Sequence, residues 1–448
     1  MTQCNPNTLH FANLDSRRLE ADFSGGALTT DAGALLLREV DRRLGLLDAL
    51  DHALPDPRDP ERLEHTQRSL LAQRVFGLAL GYEDLNDHQQ LRHDPLWQLL
   101  AERTPDPTQP LASAPTLCRL ENRVSRAALW RLAAVLVEQF VASFLLPPHT
   151  LVLDFDATDF PIHGHQQGRF FHGYYDNYCF LPLYVFCGEQ LLAAYLRPSN
   201  HDASYHAAAI LKLLVQRLRQ AWPDVKIVLR GDSGFCRWRL LRWCDHHGIG
   251  YLVGLARNPR LQRLAADWID EAQRRWQRTG QPQRRFGSLS YAAGTWDRPR
   301  RVLVKAEHTA QGDNPRFVVT NLPGAPQELY EEVYCARGEM ENRIKEQQLG
   351  LFAQRTSCHE LLANQFRLLL SAAAYVLVES LRRLGLSGTE WSRSQAWTIR
   401  LRLLKVAALV QVSVRRVYVR LASGFPLRAV FVSALARVRA GVVAPASG

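Results

Sequence analysis

The run Leu151-Val-Leu-Asp154-Phe-Asp156-Ala-Thr158 is short and apolar, and it carries two acids. Its β-branched and aromatic content predicts a strand. With a strand's period of two, Asp154 and Asp156 share one face while Leu153 and Phe155 take the other. Two carboxylates in so apolar a strand are costly unless a cation, a metal or a proton answers them. An isolated D-x-D of this kind also fits a strand end whose acids face water or cap the next turn, so the partners must come from elsewhere in the chain.

Working forward, Tyr178–Cys187 and Gln190–Leu196 read as two further strands, and their short connections predict an antiparallel meander with the first. Asp202–Trp222 then reads as a helix, with Asp202 at its start and apolar residues on one face, ended by Pro223. Val225–Leu229 is a buried-type strand running into Arg230-Gly-Asp232-Ser-Gly-Phe235, and a basic helix over Phe235–His247 and a strand over Tyr251–Leu255 follow. The order is β-β-β-α-β-α-β, an α/β fold with a mixed sheet. The next segment breaks the alternation: a helix through Leu261–Trp276, then strand-like runs at Phe286–Ala292, Arg301–Ala306 and Phe317–Thr320. It reads as a β-rich insertion (259–325) ahead of a helix over Gln327–Gln347. The sheet core thus falls into two parts, 150–258 and 326–385.

Working backward, helices are predicted over Thr29–Leu50, with Thr30 or Asp31 as cap, through Leu70–Tyr82 and over Thr116–Phe144. Residues 1–149 form a mainly helical region ending at Pro147-Pro148. At the other end, 386–448 is basic: no Asp or Glu follows Glu390, and Trp397, Leu401, Leu404, Ala408 and Gln411 recur at helical spacing.

The 448 residues carry a formal net charge of +11, mostly arginine, whose planar fork suits phosphate. Nucleic acid is the natural polyanionic partner, although a basic balance alone also fits a membrane surface. Eight cysteines without a C-x-x-C pair or zinc-finger spacing read as reduced thiols. With no signal peptide evident and the apolar run Leu368–Val378 too short to span a bilayer, a cytoplasmic protein is expected.

Three acids stand out by context. Asp232 lies where a buried strand enters a Gly-flanked turn, a common place for a functional group in open α/β sheets and equally a helix-capping position. On the helix over Gln327–Gln347, Tyr334, Arg337, Glu341, Lys345 and Gln348 fall within an arc of roughly 80°. A polar helix face is often merely solvated, but a β-β-β-α-β-α-β-α fold is able to bring Glu341 together with the other two acids. Three carboxylates near one point repel unless divalent ions bridge them, and oxygen donors favour magnesium or manganese. His163-x-His165 lacks a third ligand at useful spacing and reads as a loop pair. His201-Asp202 could form an acid/base dyad. Arg237, Arg239 and Arg242 either line a DNA channel or form a solvated basic face.

These residues resemble a known family. Asp156-Ala-Thr158, Arg230-Gly-Asp232-Ser-Gly-Phe235 and Tyr334-x-x-Arg337-x-x-x-Glu341 look like the three acidic motifs of DDE transposases with a ribonuclease-H-like core. They are most similar to the bacterial insertion-sequence group marked Y-(2)-R-(3)-E-(6)-K. Phe23-Ser-Gly-Gly-Ala-Leu-Thr-Thr-Asp-Ala-Gly33 and Pro115-Thr-Leu-Cys-Arg-Leu-Glu-Asn122 look like that group's N-terminal region, so the resemblance covers about residues 10–380.

The resemblance implies a DNA transposase that cleaves transposon ends and transfers the 3′ hydroxyl into target DNA. Asp156, Asp232 and Glu341 would be the catalytic, metal-holding acids for two Mg²⁺ or Mn²⁺ ions, and Asp156-Ala-Thr158 fits the D-x-T pattern better than Asp154 does. Tyr334, Arg337 and Lys345 would contact DNA, with Arg237 beside them; Lys345 substitutes for the family lysine, whose position is taken by Gln348. The implied partners are double-stranded terminal repeats and target DNA, with a homodimer in the active complex at the nucleoid. A non-catalytic transposase-derived DNA-binding protein and a structure-selective nuclease with the same core are the competing readings.

Overall fold

A computed structural model describes residues 8–440; Cys4 lies outside them. The chain forms two compact units. One comprises 1–51, 56–120 and 380–448, and the other 52–55 and 121–379.

The second unit is built on a nine-stranded mixed sheet. Its strands are β1 (Thr150–Ala157), β2 (Leu183–Cys187), β3 (Gln190–Tyr195), β4 (Lys226–Gly231), β5 (Gly250–Leu255), β6 (Gln283–Tyr291), β7 (Arg300–Thr309), β8 (Gly312–Asp313) and β9 (Arg316–Thr320). They lie in the order β6-β7-β9-β5-β4-β1-β2-β3, with β8 paired to β7. β1, β2 and β3 form the expected antiparallel meander, whereas β4 runs parallel to both β1 and β5. The five strands β3-β2-β1-β4-β5 are therefore a ribonuclease-H-like sheet. The strands of the 259–325 insertion continue this same sheet, β9 pairing antiparallel with β5. The helix Ala266–Thr279 covers them, its Trp268 ring occupying the space where a Cβ on Gly287 would stand.

The two faces of the sheet bury different things. Leu151, Leu153 and Phe155 of β1 join Ile227, Leu229, Tyr251 and Val253 in the main core, roofed by the helices Arg126–Ala142, Ala207–Ala221 and Trp238–His246. The helix Arg126–Ala142, although it precedes Pro147-Pro148, packs on this sheet through Val137 and Phe140. On the other face Val152, Val228, Leu252, Leu303 and Val318 meet Leu329 and Tyr330 at the start of the Glu341-bearing helix. Asp154 and Asp156 point to this second face, as the period of two requires.

Several sequence-predicted elements end elsewhere. Tyr178–Cys187 is two strands, because Pro182 has no N–H to continue a ladder. Asn177–Phe180 pairs with Phe160–Pro161 and Phe170–His172, and only Leu183–Cys187 enters the main sheet. Asp202 does not begin a helix: its carboxylate accepts from the Ser204 N–H in a turn, and the helix starts at Ala207. The apolar run around Leu368–Val378 belongs to a longer helix, Leu361–Gly385, which by length and composition could cross a membrane; it is a core helix, since 83% of its most apolar window is buried.

In the first unit, helices Leu35–Leu44 and Leu46–Ala53 replace the single helix predicted there, separated by Gly45 at φ 62°. Helix Gln67–Leu80 follows Thr66, whose hydroxyl caps it by accepting from the Ser69 N–H, and ends at Gly81 with φ 98°. Asp31 is not a side-chain cap. It is buried, and its carboxylate accepts from Lys405 Nζ (2.6 Å), Tyr82 Oη (3.0 Å) and Trp97 Nε1 (3.2 Å). Lys405 leaves the helical conformation to reach it, so the helix predicted through Ala408 and Gln411 stops at Leu404. Ala408–Val412 is instead the central strand of a three-stranded sheet, between Val417–Leu421 and Leu28–Thr29. Arg402, Arg415, Arg416, Arg420 and Arg428 remain exposed.

Candidate active site

β1 presents two acids with different fates. Asp154 is register partner of Arg230 on the adjacent parallel strand, so their side chains lie side by side. Arg230 grips Asp154 bidentately through Nε and Nη2, the latter at 2.7 Å, and also donates to the Val333 carbonyl. Both side chains are buried. Burial pushes the Asp154 carboxyl up, and the Arg230 guanidinium opposes that. Asp154 is thus a structural partner, fully occupied. Asp156, one pleat further, is freer: Oδ1 accepts from its neighbour's N–H on Ala157 (3.0 Å), and Oδ2 faces Arg337 Nη1 at 3.1 Å.

Asp232 follows β4 and plays a double part. Its Oδ1 caps the one-turn helix Ser233–Phe235 by accepting from the Gly234 N–H (2.9 Å), while the residue remains partly exposed. Close approach from β5 shapes this turn. A Cβ on Gly254 would stand 2.8 Å from the Tyr334 hydroxyl and 2.9 Å from the Ser233 nitrogen, so only glycine leaves room for both. Gly254→Ala is expected to cost about 1–3 kcal/mol of stability, read from the urea midpoint, because the clash includes backbone that cannot rotate away.

The helix predicted over Gln327–Gln347 is irregular. A wide π-type segment at Leu329–Tyr334 and a tight 3₁₀ turn at Cys335–Arg337 precede α-helix Gly338–Lys345, and a second wide segment, Glu346–Gly350, follows. Such departures recur at functional sites. Tyr334, Arg337 and Glu341 still share one side. Arg337 bridges Asp156 and Glu341, with Nη2 at 3.2 Å from the Glu341 carboxylate, and Tyr334 and Arg337 both interact electrostatically with Asp232. Burial pushes the Asp156 carboxyl up to about 6; Arg337 opposes this, while the negative charges of Asp232 and Glu341 reinforce it. Three carboxylates from β1, the β4 turn and this helix therefore gather around one guanidinium.

The other predicted residues are spread around this centre. Lys345 is exposed on the helix. Gln348 bonds Thr158 Oγ1 and the Asp159 carbonyl, both at 3.2 Å, fastening the helix to the loop beyond β1. Exposed Arg237 pairs with Asp202 at 3.4 Å. His165 meets Arg169, and His201 stacks on Tyr205 rather than engaging Asp202. The pairing of Arg230 with Asp154 and the close approach at Gly254 were not read from the sequence; the signals were an arginine and a glycine interrupting apolar strands.

In donor chemistry the three carboxylates suit a divalent cation, being hard oxygen ligands whose mutual repulsion calls for positive charge. In this structure Arg337 supplies that charge. Among the described residues, no three His, Cys, Asp or Glu side chains stand close enough together to hold a metal as arranged.

No curated protein matches the chain. Among solved structures it is similar to a piggyBac transposase synaptic complex with hairpin DNA, at 9% identity and a TM-score of 0.42, over 93% of this chain and 83% of that one. The family model described as transposase DDE domain group 1 matches residues 11–442, nearly the whole length. This chain belongs to that transposase DDE family.

Proposed function

We propose that the protein is an active DNA transposase, cleaving phosphodiester bonds at the ends of its element and joining the freed 3′ hydroxyl to target DNA. The observation that carries this reading is the gathering of Asp156, Asp232 and Glu341 around Arg337 on one face of the sheet. Asp156, Asp232 and Glu341 would hold two Mg²⁺ or Mn²⁺ ions, which supply Lewis-acid activation of the attacking oxygen and stabilisation of the leaving one.

The chain's own residues then have distinct tasks. Arg337, which pairs with Asp156 and Glu341 in this structure, would offer its planar fork to a backbone phosphate. Lys345 and Arg237 lie exposed for further phosphate contacts, and the Tyr334 hydroxyl would donate to a phosphate of the same strand. The N-terminal region 1–149 and the basic segment 386–448 would grip the terminal repeats, and a homodimer would bring two ends together at the nucleoid. Manganese titration tests the metal assignment. The wild type is expected to gain thermal stability as Mn²⁺ rises, and Asp156→Asn to gain far less. Equal gains in both proteins would remove Asp156 from the metal site.

A further inference from the structure

The helix that leaves the Asp232 turn carries a second surface with its own chemistry. Trp238, Arg239, Arg242, Trp243 and His246 of this helix, with His247 just after it and Lys212 from the helix Ala207–Ala221, line an open groove of about 480 Å³. No acid lines it. Lys212, Arg239 and Arg242 are exposed, whereas the two indoles are half-buried and hence held in place.

The cations and rings are interleaved. Lys212 Nζ lies 5.7 Å from the Trp243 ring centre, and the Arg239 guanidinium 5.4 Å from that of Trp238. His247 stacks on Trp243 at 4.3 Å, and its carbonyl accepts from Arg219 (2.8 Å), which fixes that end of the platform. Packing of Trp243 against the main core accounts for only part of its surface.

We propose that this groove binds unpaired DNA, with bases stacking on the indoles and phosphates held by Lys212, Arg239 and Arg242. Fixed aromatic faces beside several cations are the recurring chemistry of single-strand binding. A duplex offers its phosphates to such a groove but keeps its base faces stacked inside, so the indoles favour a single strand. An acidic peptide would satisfy the cations and leave both rings unused. Trp238 is six residues beyond Asp232, on a helix that packs on the main-core face of the sheet, whereas Asp156 faces the other side, so the groove is a site separate from the acids. The groove rests on its own side chains and does not require the cleavage reading.

Fluorescence anisotropy of the full chain without added metal tests this, using labelled oligothymidylate of about 16 nucleotides, a duplex of equal length and polyglutamate. Trp243→Ala and the pair Arg239→Ala/Arg242→Ala are each expected to weaken oligothymidylate binding by about 5- to 150-fold. Trp243→Phe, which keeps a stacking face, should stay within about threefold of wild type. Duplex affinity should hold nearly constant in the two Trp243 variants and fall less than oligothymidylate affinity in the arginine pair, whose thermal midpoint should stay at the wild-type value. Because the paired arginines are exposed, their variant folds even if Trp243→Ala does not. Wild-type oligothymidylate affinity in the arginine variant would overturn the proposal, and so would equal losses for polyglutamate or duplex. Asp232→Asn should bind oligothymidylate like wild type, so a catalytically dead protein leaves the groove testable.

Discussion

Asp232→Asn is expected to lower cleavage at the element's ends by about 10³-fold or more while leaving DNA affinity within about twofold. The size follows from the role: Lewis-acid stabilisation of an in-line displacement is worth several kcal/mol, and each 1.36 kcal/mol is about tenfold in rate. The amide keeps the cap, since its oxygen can still accept from the Gly234 N–H that Asp232 Oδ1 now binds. The turn therefore survives, and the loss is one of charge rather than of shape. Glu341→Gln should behave alike, because Glu341 is exposed and bonded only through Arg337 among the contacts described. Neither substitution should destabilise the fold, as each relieves repulsion around Asp156. Single-turnover cleavage beside filter binding reads both quantities.

Arg230→Ala is expected to cost about 3–5 kcal/mol of stability, because it leaves the Asp154 carboxylate buried without its cation. Against a total of roughly 5–15 kcal/mol, that is enough to empty much of the native state. Asp154→Ala should cost a comparable amount by stranding Arg230. Replacing both partners with apolar residues of similar volume should recover most of the loss, since no unpaired charge then remains. Asp156→Asn should instead leave stability near wild type. Urea unfolding of these four proteins separates a structural acid from a functional one two residues away in the same strand.

That separation marks where sequence reading stopped. The period of two put Asp154 and Asp156 on one face, and the structure agrees; which of them is spoken for depends on Arg230, whose place beside Asp154 follows from strand register. The core order was legible because β1 to β5 and their helices each carry a local signal: alternation, a proline stop, a glycine turn. The insertion's strands were legible too, but their joining the same sheet was not, since pairing with β5 is a long-range choice. Helical spacing at Trp397–Gln411 misled because a buried partner outweighed it. Lys405 turns out of the helix to meet Asp31, and Ala408 pairs with Thr29. On the Glu341 helix, wide and tight turns follow one another, so a straight-helix projection still grouped Tyr334, Arg337 and Glu341. The same projection put Gln348 on that polar arc but not its partners: it fastens the helix to the loop after β1 through Thr158 and Asp159.

The central claim is that the three acids make this chain a cutting and joining enzyme. Its most direct test is a paired cleavage and strand-transfer assay, in which wild type and Asp232→Ala are incubated with magnesium and DNA carrying the repeats that flank the protein's own gene. Nicking at the repeat boundary and joining of that end to a second DNA, by the wild type alone, is the predicted result. Cutting by Asp232→Ala, or binding of the repeats by both proteins with no cutting when metal and end sequence are varied, would contradict it.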